Sequence, residues 1–195
     1  GKPLTNRYKI NVHRKFSQFF NFCKNQPNAW IESNPCDGII LHPEKTEPST
    51  LTNKEVELLL QTASDKAEYK KLVPYLVLGF FAGLRPSEIE RLNWKDILWD
   101  SKTENGATQV KIEAEISKVK DTRYAELSQN GVEWLKPFKK PWGSIGFSKK
   151  AFKSIRQELG LFENWKGDCI RHTYGSNWQA KHKNMPALSE IMGNS

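Results

Sequence analysis

Phe80-Phe81-Ala82-Gly83-Leu84-Arg85-Pro86-Ser87-Glu88-Ile89 is the most informative segment of the sequence, because it carries an arginine on a sharp turn between two apolar helices. Ser87 and Glu90 match a capping-box pattern, which predicts that a helix begins directly after Arg85. The free amides and the dipole of that helix end add to the charge of the arginine. We therefore expect Arg85 to have an anionic partner.

Two further segments carry cations that suit the same partner. Asp168-Cys169-Ile170-Arg171-His172-Thr173 opens a later helix with a second arginine, and Ser117-Lys118-Val119-Lys120 follows a β-patterned segment. Arginine binds phosphate oxygens in a bidentate manner, whereas lysine is a compact charge and a possible proton donor. This set is suited to a phosphodiester whose negative charge grows during a transfer reaction.

The arrangement resembles the catalytic domain of the tyrosine recombinases, the integrase family. Gly83 to Ile89 resembles the first arginine box of that family with its accompanying glutamate, Glu88. Lys118 and Arg123 resemble the hairpin lysine and the basic residue after it. The segments 168–176 and 192–195 resemble the second arginine box and the small motif that usually reads Gly-His-Ser. The resemblance covers nearly the whole chain.

The resemblance implies a mainly α-helical fold with a small antiparallel β-sheet, of the α+β class. It also implies a domain organisation. Residues 1–40 are expected to be the C-terminal part of an α-helical core-binding domain that clamps DNA. Residues 41–50, rich in turn formers and charges, are expected to be a linker. Residues 51–195 are then a catalytic domain that stops before the nucleophilic tyrosine.

The implied activity is site-specific cleavage and rejoining of DNA strands through a 3′-phosphotyrosyl intermediate. Arg85 and Arg171 would bind the scissile phosphate, and Lys118 would protonate the departing 5′ oxygen. Glu88 is expected to be a buried partner that orients Arg85. His172 resembles a neighbouring histidine of the family, and we expect it to be a packed, hydrogen-bonded core residue rather than a catalyst.

Three features depart from the family pattern. Asp168 stands where the family usually has histidine; as a site residue it would orient an arginine, and its other interpretation is an N-cap of the helix that follows. Asn194 also replaces a histidine; it can donate a hydrogen bond to a phosphoryl oxygen but cannot carry charge. The nucleophilic tyrosine is expected beyond Ser195, so the chain alone is expected to be inactive, and Tyr174 is expected to pack in the core.

The composition favours a polyanionic partner, because the formal net charge is +8. Three cysteines without Cys-x-x-Cys spacing indicate neither a disulfide framework nor a structural zinc site, and they favour a reducing cytoplasm. The family implies double-stranded DNA as partner, a homo-tetramer on DNA and a monomer alone, a bacterial or phage origin, and no metal or nucleotide. No apolar run approaches the roughly 20 residues of a membrane span. Backbone contacts to DNA are assigned to Arg14, Lys15, Lys120 and Arg123, and the alternative role of Arg123 is to anchor the hairpin.

Residue patterns also predict the main elements. Apolar residues at helical spacing predict a helix over residues 6–25, and Thr52 with Glu55 predicts a capped helix through residue 63. Alternation from residue 108 to 116 predicts a strand, followed by a turn over 118–122 and a returning strand over 124–127. Further helices are predicted over residues 129–135, 148–159 and 169–181.

Other functions stay open. A non-catalytic DNA-binding protein derived from this fold would explain Asp168, Asn194 and a missing tyrosine. A basic helical module for protein partners would bind duplex DNA weakly. A type IB topoisomerase would share the chemistry, although the N-terminal helix and linker look more like those of an integrase.

Overall fold

The computed structural model describes residues 4–25, 27–43, 47–100, 107–117 and 120–193 of the chain. The chain divides into two compact units, Gly1–Glu47 and Pro48–Ser195. Within the described ranges, no helix combines the length and apolar character needed to cross a membrane.

The first unit contains one long helix, α1, which spans Asn6–Lys24 as the apolar spacing predicted. The Thr5 side chain accepts a hydrogen bond from the Tyr8 amide and caps the helix. The segment after α1 folds back on it through Asn34, whose side-chain amide donates to the Ser17 carbonyl and to the Asn21 side chain. Asn34 is buried, so these bonds satisfy a polar group that water cannot reach.

The second unit contains seven α-helices and three strands in its described part. The helices are α2 (Asn53–Asp65), α3 (Val73–Ala82), α4 (Pro86–Ile89), α5 (Gln129–Leu135), α6 (Lys149–Glu158), α7 (Cys169–His182) and α8 (Met185–Met192). The strands are β1 (Ile97–Leu98), β2 (Gln109–Ile112) and β3 (Arg123–Glu126). Short 3-10 turns occupy Lys70–Leu72, Trp94–Asp96 and Lys136–Phe138.

Helix α3 is the centre of the core. It is apolar on all sides and packs against α2, α5 and α7, which is the environment that an all-round hydrophobic helix requires. Gly79 lets α7 approach closely, because a Cβ there would lie 2.4 Å from Cγ2 of Ile170. This contact brings the first turn of α7, with Arg171, next to the end of α3.

The strands form one antiparallel sheet in the order β1-β2-β3, with Val110 opposite both Ile97 and Ala125. The predicted fold class, mainly helical with a small antiparallel sheet, is confirmed. The helices predicted over residues 6–25, 52–63, 129–135, 148–159 and 169–181 are confirmed within two residues at each end. The predicted capping box of Thr52 and Glu55 is also present.

Two local predictions are wrong. The strand predicted to reach residue 116 ends at Ile112, because residues 114–117 turn. The capping box predicted at Ser87 and Glu90 lies two residues earlier: the helix begins at Pro86, and the Glu88 carboxylate accepts a hydrogen bond from the Arg85 amide. Proline at the first helical position accounts for the shift, since its fixed φ angle suits that position and it has no N–H to satisfy.

Candidate functional site

The turn that carries Arg85 is shaped by Gly83 and Pro86. Gly83 ends α3 in the left-handed region, with φ of 64°, a conformation that residues with a Cβ rarely adopt. Pro86 then starts α4, three residues after Gly83. The Arg85 side chain is only 12% exposed. The turn therefore directs the guanidinium group into the protein rather than toward solvent.

Glu88 lies at the centre of the site and its side chain is fully buried. Its Oε1 accepts a hydrogen bond from Nη1 of Arg85 at 3.0 Å, and its Oε2 accepts one from Nη2 of Arg123 at 2.8 Å. Oε2 also accepts from the Arg85 amide at 2.8 Å. A buried carboxylate with several charge-assisted bonds is held in one position, and it holds both arginines in turn.

Arg123 enters the site from β3, with a side chain that is 12% exposed. Its Nη1 donates to the Ile191 carbonyl at 3.0 Å, while Nη2 bonds Glu88. Burial lowers the pKa of Arg123, the Glu88 carboxylate raises it, and the positive charge of Arg85 lowers it. The sequence assigned Arg123 to a DNA-backbone contact or a hairpin anchor, and the structure directs it inward, against Glu88.

Arg171 is the most buried of the three arginines, at 4% exposure. Its Nη1 donates to the Gly83 carbonyl at 2.5 Å, and its Nη2 donates to the Met192 carbonyl. Burial lowers its pKa to about 10, and the positive charge of Arg85 acts in the same direction. The group remains charged at neutral pH, so the site concentrates like charges in a poorly solvated place.

The end of α8 completes the site. Ile191, Met192 and Gly193 each offer a backbone carbonyl to a different arginine: Arg123, Arg171 and Arg85, respectively. The bond from Nη2 of Arg85 to the Gly193 carbonyl measures 2.5 Å. The last carbonyls of a helix lack partners within the helix and carry its negative dipole end, so arginines are suitable donors to them.

Arg85, Glu88 and Arg171, which the sequence placed in one site, lie together. Lys118 and Asn194 lie outside the described residues. Asp168 occupies the N-cap position of α7, as predicted, but its side chain makes no capping hydrogen bond and is exposed. Its negative charge still acts on Arg171 by raising the pKa of that group, although less strongly than burial lowers it.

The expectation for His172 is wrong. It is exposed on α7, and not packed in the core, because α7 turns its buried face toward α3 through the neighbouring residues Ile170, Arg171 and Thr173. His172 instead lines an open groove between α7 and α8, together with Gly175, Met185 and Leu188. The neighbouring prediction for Tyr174 holds in part, since it is half-buried and its ring lies against Gly83.

The residues assigned to DNA-backbone contacts have different environments. Arg14 and Lys15 are exposed on α1 of the first unit. Lys120 is exposed and has a positive φ of 54° in the turn between β2 and β3. All three are therefore open to a ligand from solvent, whereas Arg123 is not.

Sequence reasoning missed the inward orientation of Arg123 and the part played by the end of α8. The first had a signal: Arg123 and the buried Ala125 are two residues apart in β3, so they share a face of the sheet. No sequence signal indicates the role of the α8 carbonyls, because every residue has a backbone carbonyl. The packing of α8 against α7 and against β3 brings these three carbonyls to the arginines.

This arrangement can bind an oxyanion. Arg85 and Arg123 bond one buried carboxylate, and all three arginines bond carbonyls at the end of α8. The fork geometry of guanidinium groups matches phosphate or sulfate oxygens. An additional anion would reduce the repulsion between the arginines. Such fixed positive groups also stabilise negative charge that develops on a phosphoryl group during reaction.

Comparison with known proteins gives the same fold. No protein-family model and no curated protein matches the sequence. Among solved structures, the catalytic domain of bacteriophage HP1 integrase is similar at 21% identity and a TM-score of 0.61, over 76% of this chain and 82% of that chain. The Tn1549 transposon integrase in complex with transposon right end DNA is similar at 18% identity and a TM-score of 0.70, over 97% of this chain and 72% of that chain.

A third similar structure is the XerH site-specific recombinase bound to palindromic difH substrate, at 20% identity and a TM-score of 0.68, over 97% of this chain. This chain spans 57% and 60% of the length of the two XerH chains that it matches. The fold is that of tyrosine recombinase and integrase catalytic domains, as the sequence resemblance implied.

Proposed function

We propose that this chain belongs to a site-specific DNA recombinase that cuts and rejoins strands through a 3′-phosphotyrosyl intermediate. The observation that carries the proposal is that Arg85 and Arg123 bond the buried Glu88 carboxylate, while all three arginines bond consecutive carbonyls at the end of α8. The similar proteins of known structure include recombinases and integrases bound to DNA. Both observations support a phosphodiester as the anion that these arginines bind.

In the proposed reaction Arg85 and Arg171 bind the two non-bridging oxygens of the scissile phosphate. A tyrosine nucleophile attacks phosphorus with its phenolic oxygen, and the phenolic proton passes to solvent water. The bond from phosphorus to the 5′ oxygen breaks, and Lys118 donates a proton to that oxygen. The arginine charges stabilise the phosphoryl oxygens most strongly in the transition state, where negative charge is greatest.

The bond energy of the cleaved strand is kept in the phosphotyrosyl link, so a 5′ hydroxyl can later reverse the reaction and rejoin a strand. This sequence of steps requires no nucleotide. Lys120 and the basic face of α1, with Arg14 and Lys15, are proposed to follow the DNA backbone. Their contribution would make the affinity fall with salt. Assembly as a tetramer on DNA belongs to the same proposal.

The proposal is tested with the complete parent protein, expressed with a tag in cells. Denaturing capture of the tagged protein, followed by sequencing of DNA that remains attached, detects a covalent adduct and identifies its site. We expect an adduct that Arg171→Ala abolishes. Arg91→Ala is the matched control, since Arg91 is an exposed arginine outside the site, and it should keep the adduct.

The competing function is DNA binding without catalysis, and Asp168 is the observation that favours it. This carboxylate stands where the family usually has a histidine, and it is exposed beside Arg171. Salt-sensitive DNA binding by the parent protein, with no adduct in the capture experiment, would establish that function in place of the recombinase. Failure to bind duplex DNA at all would exclude both.

A further inference from the structure

Arg123 connects Glu88 to the end of α8 from strand β3, whereas Arg85, which also bonds Glu88 and the Gly193 carbonyl, belongs to the turn before α4. The planar guanidinium group of Arg123 donates from Nη2 to Oε2 of Glu88 and from Nη1 to the carbonyl of Ile191. These acceptors belong to α4 and α8, which lie far apart in the sequence. The fixed geometry of the Arg123 guanidinium group therefore constrains the distance between the Glu88 carboxylate and the end of α8 from a third element, in addition to the constraint from Arg85.

The two acceptors of Arg123, the Glu88 carboxylate and the end of α8, also bond the other two arginines. Glu88 bonds the backbone amide and the side chain of Arg85. The two carbonyls after Ile191, those of Met192 and Gly193, accept from Arg171 and Arg85. A movement of Arg123 would therefore displace the acceptors on which the other two guanidinium groups rest.

The backbone of Gly193 lies against the side chain of Arg123. A Cβ at residue 193 would be 2.9 Å from Nε and 3.0 Å from Cδ of Arg123, closer than normal contacts allow. Gly193 also has φ of 61°, in the left-handed region. Nε of Arg123 is buried and has no hydrogen-bond partner among the described residues, so the two Nη groups make the polar contacts that fix this side chain.

We propose that Arg123 is a positioning residue of the anion site, which aims Arg85 and Arg171 at a phosphodiester by fixing Glu88 relative to the end of α8. The inference rests on the proposed function, since it assumes that the arginines bind a phosphate. It adds that the anion site and the end of α8, up to Gly193, are held together by the same contacts. Binding of the anion and the position of the Gly193 backbone are therefore coupled.

The test titrates inorganic phosphate into the 195-residue chain and follows the Nε–H signals of Arg85 and Arg171 and the amide signal of Gly193 by NMR. Sodium chloride at matched ionic strength controls for screening. Arg123→Lys keeps the charge but cannot bridge two acceptors. Gly193→Ala perturbs the same contact from the opposite side. Arg91→Lys, at an exposed arginine outside the site, is the control.

In the wild-type chain we expect the three signals to shift together with one dissociation constant. Each single variant should weaken phosphate binding about tenfold, and the double variant should bind about as weakly as either single variant, because both remove the same contact. The Gly193 amide should no longer respond in Arg123→Lys. A residue with a merely structural role would lower the unfolding temperature without uncoupling these signals.

Two results would overturn the inference. Wild-type phosphate affinity in Arg123→Lys, at a temperature where the variant is folded, would show that Arg123 only stabilises the fold. If the two losses of phosphate affinity multiply in the double variant, the two positions act independently. If Arg171→Lys weakens binding and Arg123→Lys does not, the proposed function survives without this inference. If the wild-type chain shows no saturable phosphate response, both fall.

Discussion

The ring of Tyr174 occupies the space where a side chain at Gly83 would stand. A Cβ on residue 83 would lie 2.4 Å from Cδ1 and 3.0 Å from Cγ of the Tyr174 ring. The Gly83 carbonyl also accepts a hydrogen bond from Arg171, which lies about one helical turn before Tyr174. The glycine of the Arg85 turn is thus required by packing as well as by its positive φ.

We predict that Gly83→Ala destabilises the protein more than its backbone conformation alone explains. The left-handed conformation costs a residue with a Cβ about 1–2 kcal/mol. Overpacking against the ring should add about 1–3 kcal/mol. Gly160→Ala is the matched control, because Gly160 has φ of 67° and an added Cβ would meet no described atom within 4 Å. Urea denaturation of both variants measures the difference, and equal losses would contradict the packing role of Tyr174.

The sequence predicted most of the helices because their signals are local. Capping residues and apolar spacing predict α2, α5 and α6 from short windows, and tertiary packing agrees with these local preferences. The strand after residue 108 was predicted too long, since apolar alternation continues after Ile112 although the backbone turns away from the sheet. Helix α8 was not predicted as a helix, because Pro186 and a short apolar run give an ambiguous pattern.

The sequence predicted those residues of the candidate site whose charged side chains stand in motifs with a recognisable spacing. Arg85, Glu88 and Arg171 were placed together by resemblance. The burial of Arg123 and the exposure of His172 were not predicted, since each depends on how an element is rotated about its axis in the fold. The sheet face of β3 and the buried face of α7 are set by packing on distant segments, which local sequence patterns do not contain.

We predict that Glu88→Gln destabilises the protein by about 3 kcal/mol, because it breaks two buried ion pairs while keeping the shape of the side chain. Added sulfate should raise the unfolding temperature of the wild-type protein, since an anion that binds only the folded state stabilises it. Because Glu88 holds Arg85 and Arg123 in position, this rise should be smaller in Glu88→Gln than in the wild-type protein. Differential scanning calorimetry across a sulfate series measures both.

Glu133→Gln is the control for that series. Glu133 pairs with Lys136 at 2.7 Å, but both side chains are more than half exposed. Its loss should change stability by less than about 0.5 kcal/mol and should not alter the sulfate response. A sulfate response of Glu88→Gln equal to that of the wild-type protein would argue against a role of Glu88 in an anion site at these arginines.

We predict that Cys169 makes stability fall as pH rises above about 9, the ordinary pKa of a thiol. Burial raises the pKa of the Cys169 thiol above that value. At higher pH the unfolded chain loses this proton while the folded chain keeps it, so ionisation favours unfolding. At lower pH both states are protonated and the thiol has no effect. Urea denaturation between about pH 7.5 and 10 should show a smaller fall in Cys169→Ala than in the wild-type protein.

Cys36→Ala is the control in that experiment, because Cys36 is partly exposed in the first unit. Its pH dependence should match that of the wild-type protein. Comparing slopes rather than absolute stabilities removes the contribution of other groups that titrate in this range. An unchanged slope in Cys169→Ala would mean that this thiol does not take part in alkaline destabilisation.

We predict that Thr173→Val loosens the start of the second unit. Oγ1 of Thr173 accepts a hydrogen bond from the Leu51 amide at 2.9 Å and donates one to the Cys169 carbonyl at 2.8 Å, both in buried surroundings. Valine has nearly the same shape, so the substitution leaves the Leu51 N–H buried without an acceptor. The expected loss is about 1–3 kcal/mol.

Hydrogen exchange distinguishes this effect from a general loss of stability. The Leu51 amide should exchange faster in Thr173→Val, whereas exchange of the α3 amides should change only with global stability. Thr122→Val is the control, because Thr122 accepts from the Ala114 amide at 3.3 Å in an exposed turn, where water can replace it. Since Thr173 follows Arg171 by two residues on α7, unchanged Leu51 exchange would mean that the chain before α2 is not fixed through the helix that carries Arg171.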